Sequence, residues 1–330
     1  MIGSPPVAIT IGNFDGVHLG HAALVAAARG ILDGPGRRGR VVALTFDPHP
    51  AAILRPADAP ARLTLPADRA AFLRAAGADD VRLLTPDREL LGLSPEAFVE
   101  AIVREHRPSA LVEGPDFRFG RERAGTVETL RRLGARHGFE TVVVEPVEVA
   151  LGDGGWVVAS SSIIRWLISQ GRVEDARRCL GRPYELVGEV IPGEQRGRTI
   201  GYPTANLDHG DLLLPGDGVY AGVATLPDGA TRPAAVSVGT KPTFGAVDRL
   251  CEVHLVDCDL PVGDYGWTLR VTFERRLREQ MAFATLESLL RQMDRDVAEV
   301  RRLCASADPA PGASRDAAPR GPALRTELVR

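Results

Sequence analysis

The feature that most constrains this chain is a change of texture at Arg182-Pro183. Before it, short apolar runs alternate with longer stretches of helical spacing. The runs are Val7–Ile11, "VVALTF", "DVRLL", "ALVEG" and "TVVVE"; between them lie "HAALVAAARGIL", "RAAFLRAAGA", "PEAFVEAIVREH" and "ETLRRLGARHG". Ser94 or Pro95 marks one helix start, because a serine side chain accepts a free N–H of the first turn and proline is pre-set for it. Such alternation predicts an α/β fold, a doubly wound parallel sheet that takes ligands at the carboxyl ends of its strands. After Arg182-Pro183 come "YELVGEVI", "GVYAGVATL", "RPAAVSVG", "CEVHLVD" and "WTLRVTFE", short β-rich runs broken by Gly, Pro and Asp. They predict an antiparallel barrel or sandwich. A last helix from about Thr285 carries Leu286, Leu289, Leu290, Met293, Val297 and Val300 on one face and is expected to cover the barrel. The expected division is a first domain over 1–182, a second over 183–305 and a disordered tail over 306–330, which is poor in apolar residues.

Composition narrows the function. A length of 330 residues suffices for two domains. A net charge of −3, an aromatic content of 5% and no basic block argue against a nucleic-acid binder, while small anionic ligands stay open. Cys179, Cys251, Cys258 and Cys304 form no C-x-x-C pair and no zinc spacing. Reduced thiols in the cytoplasm are expected. No leader pattern and no run of roughly 18 apolar residues occurs, so neither export nor a membrane partner is expected. The expected partners are small-molecule substrates, and the expected state is a monomer or weak homo-oligomer.

The stretch "IGNFDGVHLGH" places Gly12, Phe14, Asp15, His18, Gly20 and His21 where the first run ends and the first helix begins. Two readings fit these residues. Backbone N–H groups and two imidazoles converge on a phosphate, or the stretch is a turn with two solvent-exposed histidines. Glycine in a first helical turn costs about 0.5–1 kcal/mol against alanine, and close approach of a ligand at Gly20 is the expected compensation.

Taken with other segments, the stretch resembles the prokaryotic bifunctional riboflavin kinase/FMN adenylyltransferase (FAD synthetase) family. "LTFDPHP", "LSPEAFVE", "GPDFRFG" and "SSSIIRWLISQGRVEDARRCLGRPY" occur in the family's order, followed by "RGRTIGYPTANL", "GVYAG", "VSVGTKPTFG" and "EVHLVD". The resemblance runs from Val7 to about Arg302. It implies an adenylyltransferase domain that moves AMP from ATP to FMN, with release of pyrophosphate. His18 and His21 match the phosphate-contacting pair, and Gly12, Phe14, Asp15 and Gly20 belong to the same binding signature. Ser161, Ser162 and Arg165 suit the β- and γ-phosphates, although a serine cap with a surface arginine reads equally from the residues. His49, held between two prolines, is expected in the same cleft, and Asp116 on its nucleotide or flavin side.

For the second half the resemblance implies a riboflavin kinase barrel that phosphorylates the ribityl hydroxyl of riboflavin with ATP. The lone lysine, Lys241, precedes a proline, so no P-loop of the form G-x-x-x-x-G-K-[ST] exists. Gly193, Arg198 and Gly201 instead match a flap over phosphates. Thr204 and Asn206, one residue apart on an extended segment, match ligands to Mg²⁺ and ATP. Glu252 matches the general base, although a solvated strand face shared with His254 looks the same from periodicity. Arg278 matches an arginine near the ligands. Pro86, Gln280 and Ala282 depart from common family residues, and Tyr202 replaces a usual phenylalanine. Two alternatives stand beside the bifunctional enzyme: a flavin-binding paralogue, and a single-activity adenylyltransferase with a degenerate kinase domain.

Overall fold

The computed structural model describes residues 5–34, 37–193, 195–240, 249–258 and 264–306. The first half forms β1 (Val7–Gly12), α1 (Leu19–Leu32), β2 (Arg40–Phe46), α2 (Pro50–Leu54), α3 (Pro66–Ala75), β3 (Asp80–Leu84), α4 (Pro95–His106), β4 (Ala110–Glu113), α5 (Val127–His137) and β5 (Glu140–Val143). Its strands make one parallel sheet in the order β3-β2-β1-β4-β5. The order reverses at β1, whose last residue Gly12 therefore opens onto the switch point where such sheets take ligands. Strand alternation sorts the core into two layers. Ala8, Val41, Ala43 and Val112 pack toward α1 and α3, while Ile9, Ile11, Leu44 and Leu111 pack toward α4 and α5. Ser94 caps α4 by accepting the Ala97 N–H at 3.2 Å, with Pro95 in the first turn.

Two further helices, α6 (Ser161–Ser169) and α7 (Val173–Leu180), lead into β6 (Tyr184–Ile191), β7 (Ala205–Asp208), β8 (Gly218–Thr225), β9 (Thr231–Thr240), β10 (Arg249–Leu255), β11 (Thr268–Arg278) and α8 (Leu286–Ser306). The strands close into an antiparallel barrel in the order β6-β7-β10-β9-β8-β11. Closure decides between barrel and sandwich. Leu207, Val253, Val236 and Phe273 point inward, and the opposite parity leaves Asn206, Glu252 and Ser237 facing outward.

Helix α8 covers the barrel as expected. Val297 and Val300 pack there with Leu303 and Cys304, Leu289, Leu290 and Met293 are half-buried, and Leu286 at its start is 57% exposed. Helices α6 and α7 share one buried cluster with the barrel interior, in which Ile164, Leu167, Ile168 and Cys179 sit with Leu186, Tyr220 and Phe273. The change of texture at Arg182-Pro183 thus divides the sheets but not the core. All four cysteines are free. Beyond Ser306 the expected tail lies outside the described residues, as does Lys241.

Two candidate active sites

Strand β1 runs into a strained turn. Phe14 and Val17 stand at positive φ, 46° and 41°, which is costly for a β-branched residue, and Gly16 at 85° avoids that cost. The buried Asp15 carboxylate fixes the turn by accepting from the N–H groups of Leu63 and Thr64 and from the Thr64 hydroxyl, at 2.9–3.1 Å. It also takes a 2.5 Å bond from Arg165 Nη2. From the barrel side, Arg182 donates to the carbonyls of Gly16 (2.7 Å) and Val17 (3.0 Å).

His18 then caps α1, its Nδ1 accepting the Gly20 N–H at 3.1 Å. An accepting Nδ1 leaves the ring proton on Nε2, which fixes the tautomer. His21 stacks on His18 with ring centroids 3.6 Å apart and meets Phe14 edge-on at 5.0 Å. Burial, and then the Arg182 guanidinium, lower His18 to about 4. Burial, with His18, Arg69 and Arg182 nearby, holds His21 well below the usual imidazole range. The two rings are therefore neutral, packed side chains, and the reading as solvent-exposed turn histidines fails. His21 Nδ1 is sealed from solvent with no partner among the described residues. An unmet buried nitrogen costs about 1–3 kcal/mol.

Both signature glycines serve packing within the protein. A Cβ on Gly20 would come within 3.0–3.3 Å of the His18 ring and the Ala159 carbonyl, and one on Gly12 within 3.2 Å of the Phe14 ring.

Beside the turn lies a cleft of 220 Å³ lined by Asn13, Asp15, His49, Arg62, Arg69 and Asp211, among others. His49 is where the sequence places it. Its Nδ1 caps α2 by accepting the Ala51 N–H at 3.1 Å, and its Nε2 lies 2.9 Å from the Asn13 side-chain nitrogen. Burial and the Arg165 charge lower its pKa. Arg165 also donates from Nε to the Ala61 carbonyl at 2.7 Å. Ser161 donates to the Asp15 carbonyl at 2.7 Å, Ser160 caps α6 through the Ile163 N–H, and Ser162 is exposed at the same helix start. Asp116 is exposed on the loop after β4 and is not part of the cleft lining, while Phe119 is core.

The sequence reading missed Asn13, Asp47, Arg62, Arg69 and Arg182. Arg69 is 3% exposed, donates to the Phe46 carbonyl at 2.7 Å and lies 3.8 and 3.7 Å from Asp15 and Asp47. Next to Asp68 in the first turn of its helix it reads as a surface cation. Only its place beneath β2 shows otherwise.

The second candidate site lies on the outer face of the barrel. Asn206 pairs in register with Glu252, and Glu252 with Ser237, so three strands set these side chains in one row. Gln280 extends the row by donating to the Ser237 hydroxyl at 3.2 Å. His254, two residues along, donates from Nδ1 to the Pro203 carbonyl at 2.8 Å and anchors the segment that carries Thr204. A 50 Å³ pocket beside the row is lined by Gly193, Arg198, Thr204, Asn206, Tyr265 and Trp267, among others. A Cβ on Gly193 would stand 1.9 Å from Asn206 Nδ2, so only glycine lets the flap lie this close. Gly201, at φ 90°, turns the chain back toward Thr204. Arg278 is committed elsewhere, with Nε and Nη2 gripping the buried Asp296 of α8 at 3.0 and 2.8 Å.

A switch-point cleft with paired imidazoles, joined to a barrel with a polar outer row beneath a glycine flap, defines a two-domain transferase of phosphate-bearing substrates. Comparison with known proteins specifies it further. The family model described as FAD synthetase matches residues 3–154, and that described as riboflavin kinase matches residues 180–304. The bifunctional riboflavin kinase/FMN adenylyltransferase of Escherichia coli K12 is 34% identical over 92% of this chain and 94% of its own. That of Pseudomonas fluorescens is 37% identical over 90% and 92%. A Streptococcus pneumoniae crystal structure titled as a macrolide-efflux protein superposes with a TM-score of 0.78 at 31% identity, covering 91% of this chain and 95% of that one. Among the described residues no helix is long and apolar enough to cross a membrane. The chain belongs to the family of bifunctional riboflavin kinase/FMN adenylyltransferases: it phosphorylates riboflavin to FMN and adenylylates FMN to FAD.

Proposed function

We propose that the two reactions use two separate sites, adenylyl transfer at the His18–His21 turn and phosphoryl transfer at the outer barrel row. The observation that carries the first assignment is the stacked His18–His21 imidazole pair where β1 ends at the switch point. Direct attack of the FMN phosphate on the α-phosphate of ATP needs positioned donors rather than a covalent intermediate. The His18 Nε2–H supplies one donor, and the His21 ring stacked on it supplies another. Ser162 and Arg165 at the start of α6 serve the leaving pyrophosphate, with Arg165 exchanging its Asp15 bond for phosphate. Asp15 and Ser161 act as scaffold, since their polar groups are spent within the turn.

At the second site Glu252 takes the proton of the ribityl hydroxyl as its oxygen attacks the γ-phosphate of ATP. Thr204, Asn206 and Glu252 offer hard oxygen donors of the type Mg²⁺ takes alongside phosphates and water. Bound there, the ion neutralises charge building on the transferred group. Arg278 acts by holding α8 over the row.

We place the domain boundary at Arg182-Pro183, because α6 carries groups that serve the first site, and the enzyme in the cytoplasm as a monomer or weak homo-oligomer. Incubating the protein with riboflavin, ATP and Mg²⁺ and resolving the flavins by chromatography tests the scheme. FMN forms first and FAD follows, and EDTA stops both. FAD formation with no FMN at any time, or undiminished kinase turnover in EDTA, contradicts it.

A further inference from the structure

The cleft beside the phosphate turn is not built from the first domain alone. Asp211, in the loop between β7 and β8, lines it. The Arg62 N–H donates to the Asp211 carbonyl at 3.1 Å, and the Leu213 N–H to the Arg62 carbonyl at 2.9 Å, forming a short parallel bridge between the two domains. The next two residues of that segment, Leu63 and Thr64, give their N–H groups to Asp15. One short segment therefore ties the barrel to the turn that carries His18.

The Arg62 side chain spans the same seam. Its Nε donates to Asp211 Oδ2 at 2.9 Å and its Nη1 to Asp47 Oδ1 at 2.6 Å. Two carboxylates thus hold two edges of a planar fork, and Nη2 makes no hydrogen bond among the described residues. The neighbouring cations are engaged as well. Arg165 spends Nε on Ala61 and Nη2 on Asp15, and Arg69 is buried against Phe46. A guanidinium edge left open at a cleft wall matches the paired oxygens of a phosphate group. Ordering an arginine side chain costs rotamer entropy, and the Asp211 bond meets part of that cost before substrate arrives.

We propose that Arg62 contacts a substrate phosphate in the adenylyl-transfer cleft, and that Asp211, contributed by the kinase domain, is the positioning residue that aims it. The second domain thereby completes the first domain's site. This rests on the reading of the His18–His21 cleft given above. Asp211 suits a test because its side chain is 65% exposed and its backbone bond to Arg62 survives substitution.

The experiment uses the full chain as wild type, R62Q, D211N and H21A. FMN-to-FAD kinetics are measured with ATP and FMN varied in turn, riboflavin-to-FMN kinetics serve as control, and thermal midpoints are recorded. R62Q is expected to lower adenylyl-transfer kcat/KM by roughly tenfold or more, and D211N by roughly threefold to tenfold through KM, with kcat held within about twofold. The substrate whose KM rises identifies the phosphate that Arg62 meets, that of FMN or those of ATP. Kinase turnover and the D211N midpoint stay at wild-type values. Unchanged adenylyl transfer in D211N overturns the proposal, as does a joint fall of both activities with a lowered midpoint. An H21A protein that still makes FAD sinks the cleft assignment itself and is thereby told apart from failure at Arg62.

Discussion

His18 shows how much one residue carries. It caps a helix, fixes its own tautomer by doing so and supports the ring of His21. Its lowered pKa makes a prediction about stability. The unfolded chain binds a proton near pH 6.5 that the folded chain refuses until about pH 4, so the stabilisation is full above 6.5 and is lost as pH falls through that window. Over the whole interval the loss is on the order of 3 kcal/mol. Thermal melts between pH 7 and 4 should therefore show a shallower decline for His18→Asn, which keeps a capping acceptor but cannot titrate; parallel declines would contradict the account. At this scale the sequence was only partly legible. The histidine spacing pointed to phosphate, because a strand end and a helix start can be read locally. Arg62, Arg69 and Arg182 come from three other segments, and nothing in their neighbouring residues separates a buried cation from a solvated one.

Among elements, the end of β4 holds a carboxyl that the reactions do not use. Glu113 is 1% exposed, accepts the Ile11 N–H of β1 at 2.7 Å, and is pushed well above the usual carboxylate range by burial. Its folded pKa exceeds its unfolded one, so its contribution is present below about 4.5 and is lost as pH rises through the folded value. Glu113→Gln keeps an acceptor for Ile11 and removes that titration. Its thermal midpoint should match wild type near pH 4 and exceed it at pH 8, and a midpoint below wild type at pH 8 would be evidence against a neutral, buried carboxyl. Strand periodicity made most of the sheet and barrel readable. It read the stretch at Thr204 and Asn206 as extended but did not single out β7 as a barrel strand, because its four residues carry only two inward positions, Ala205 and Leu207. The apolar stripe of α8 was read correctly as a stripe, although Leu286 at its start is 57% exposed.

For the molecule as a whole, the shared core beneath α6, α7 and the barrel makes the two domains one thermodynamic unit on that side. Calorimetry should show a single unfolding transition, and Leu167→Ala, which opens a hole in the shared cluster, should lower it by about 2–5 kcal/mol. Two well-separated transitions in the wild type would contradict this. Shared stability does not mean shared chemistry, because the imidazole pair and the barrel row are built from different strands and different residue types. The most direct test is chromatography of the flavins made by two single variants in the full chain. Glu252→Ala should make no FMN from riboflavin yet convert supplied FMN to FAD at the wild-type rate, and His21→Ala should accumulate FMN from riboflavin and make no FAD. Loss of both activities in either well-folded variant would show that the two reactions do not have separate sites.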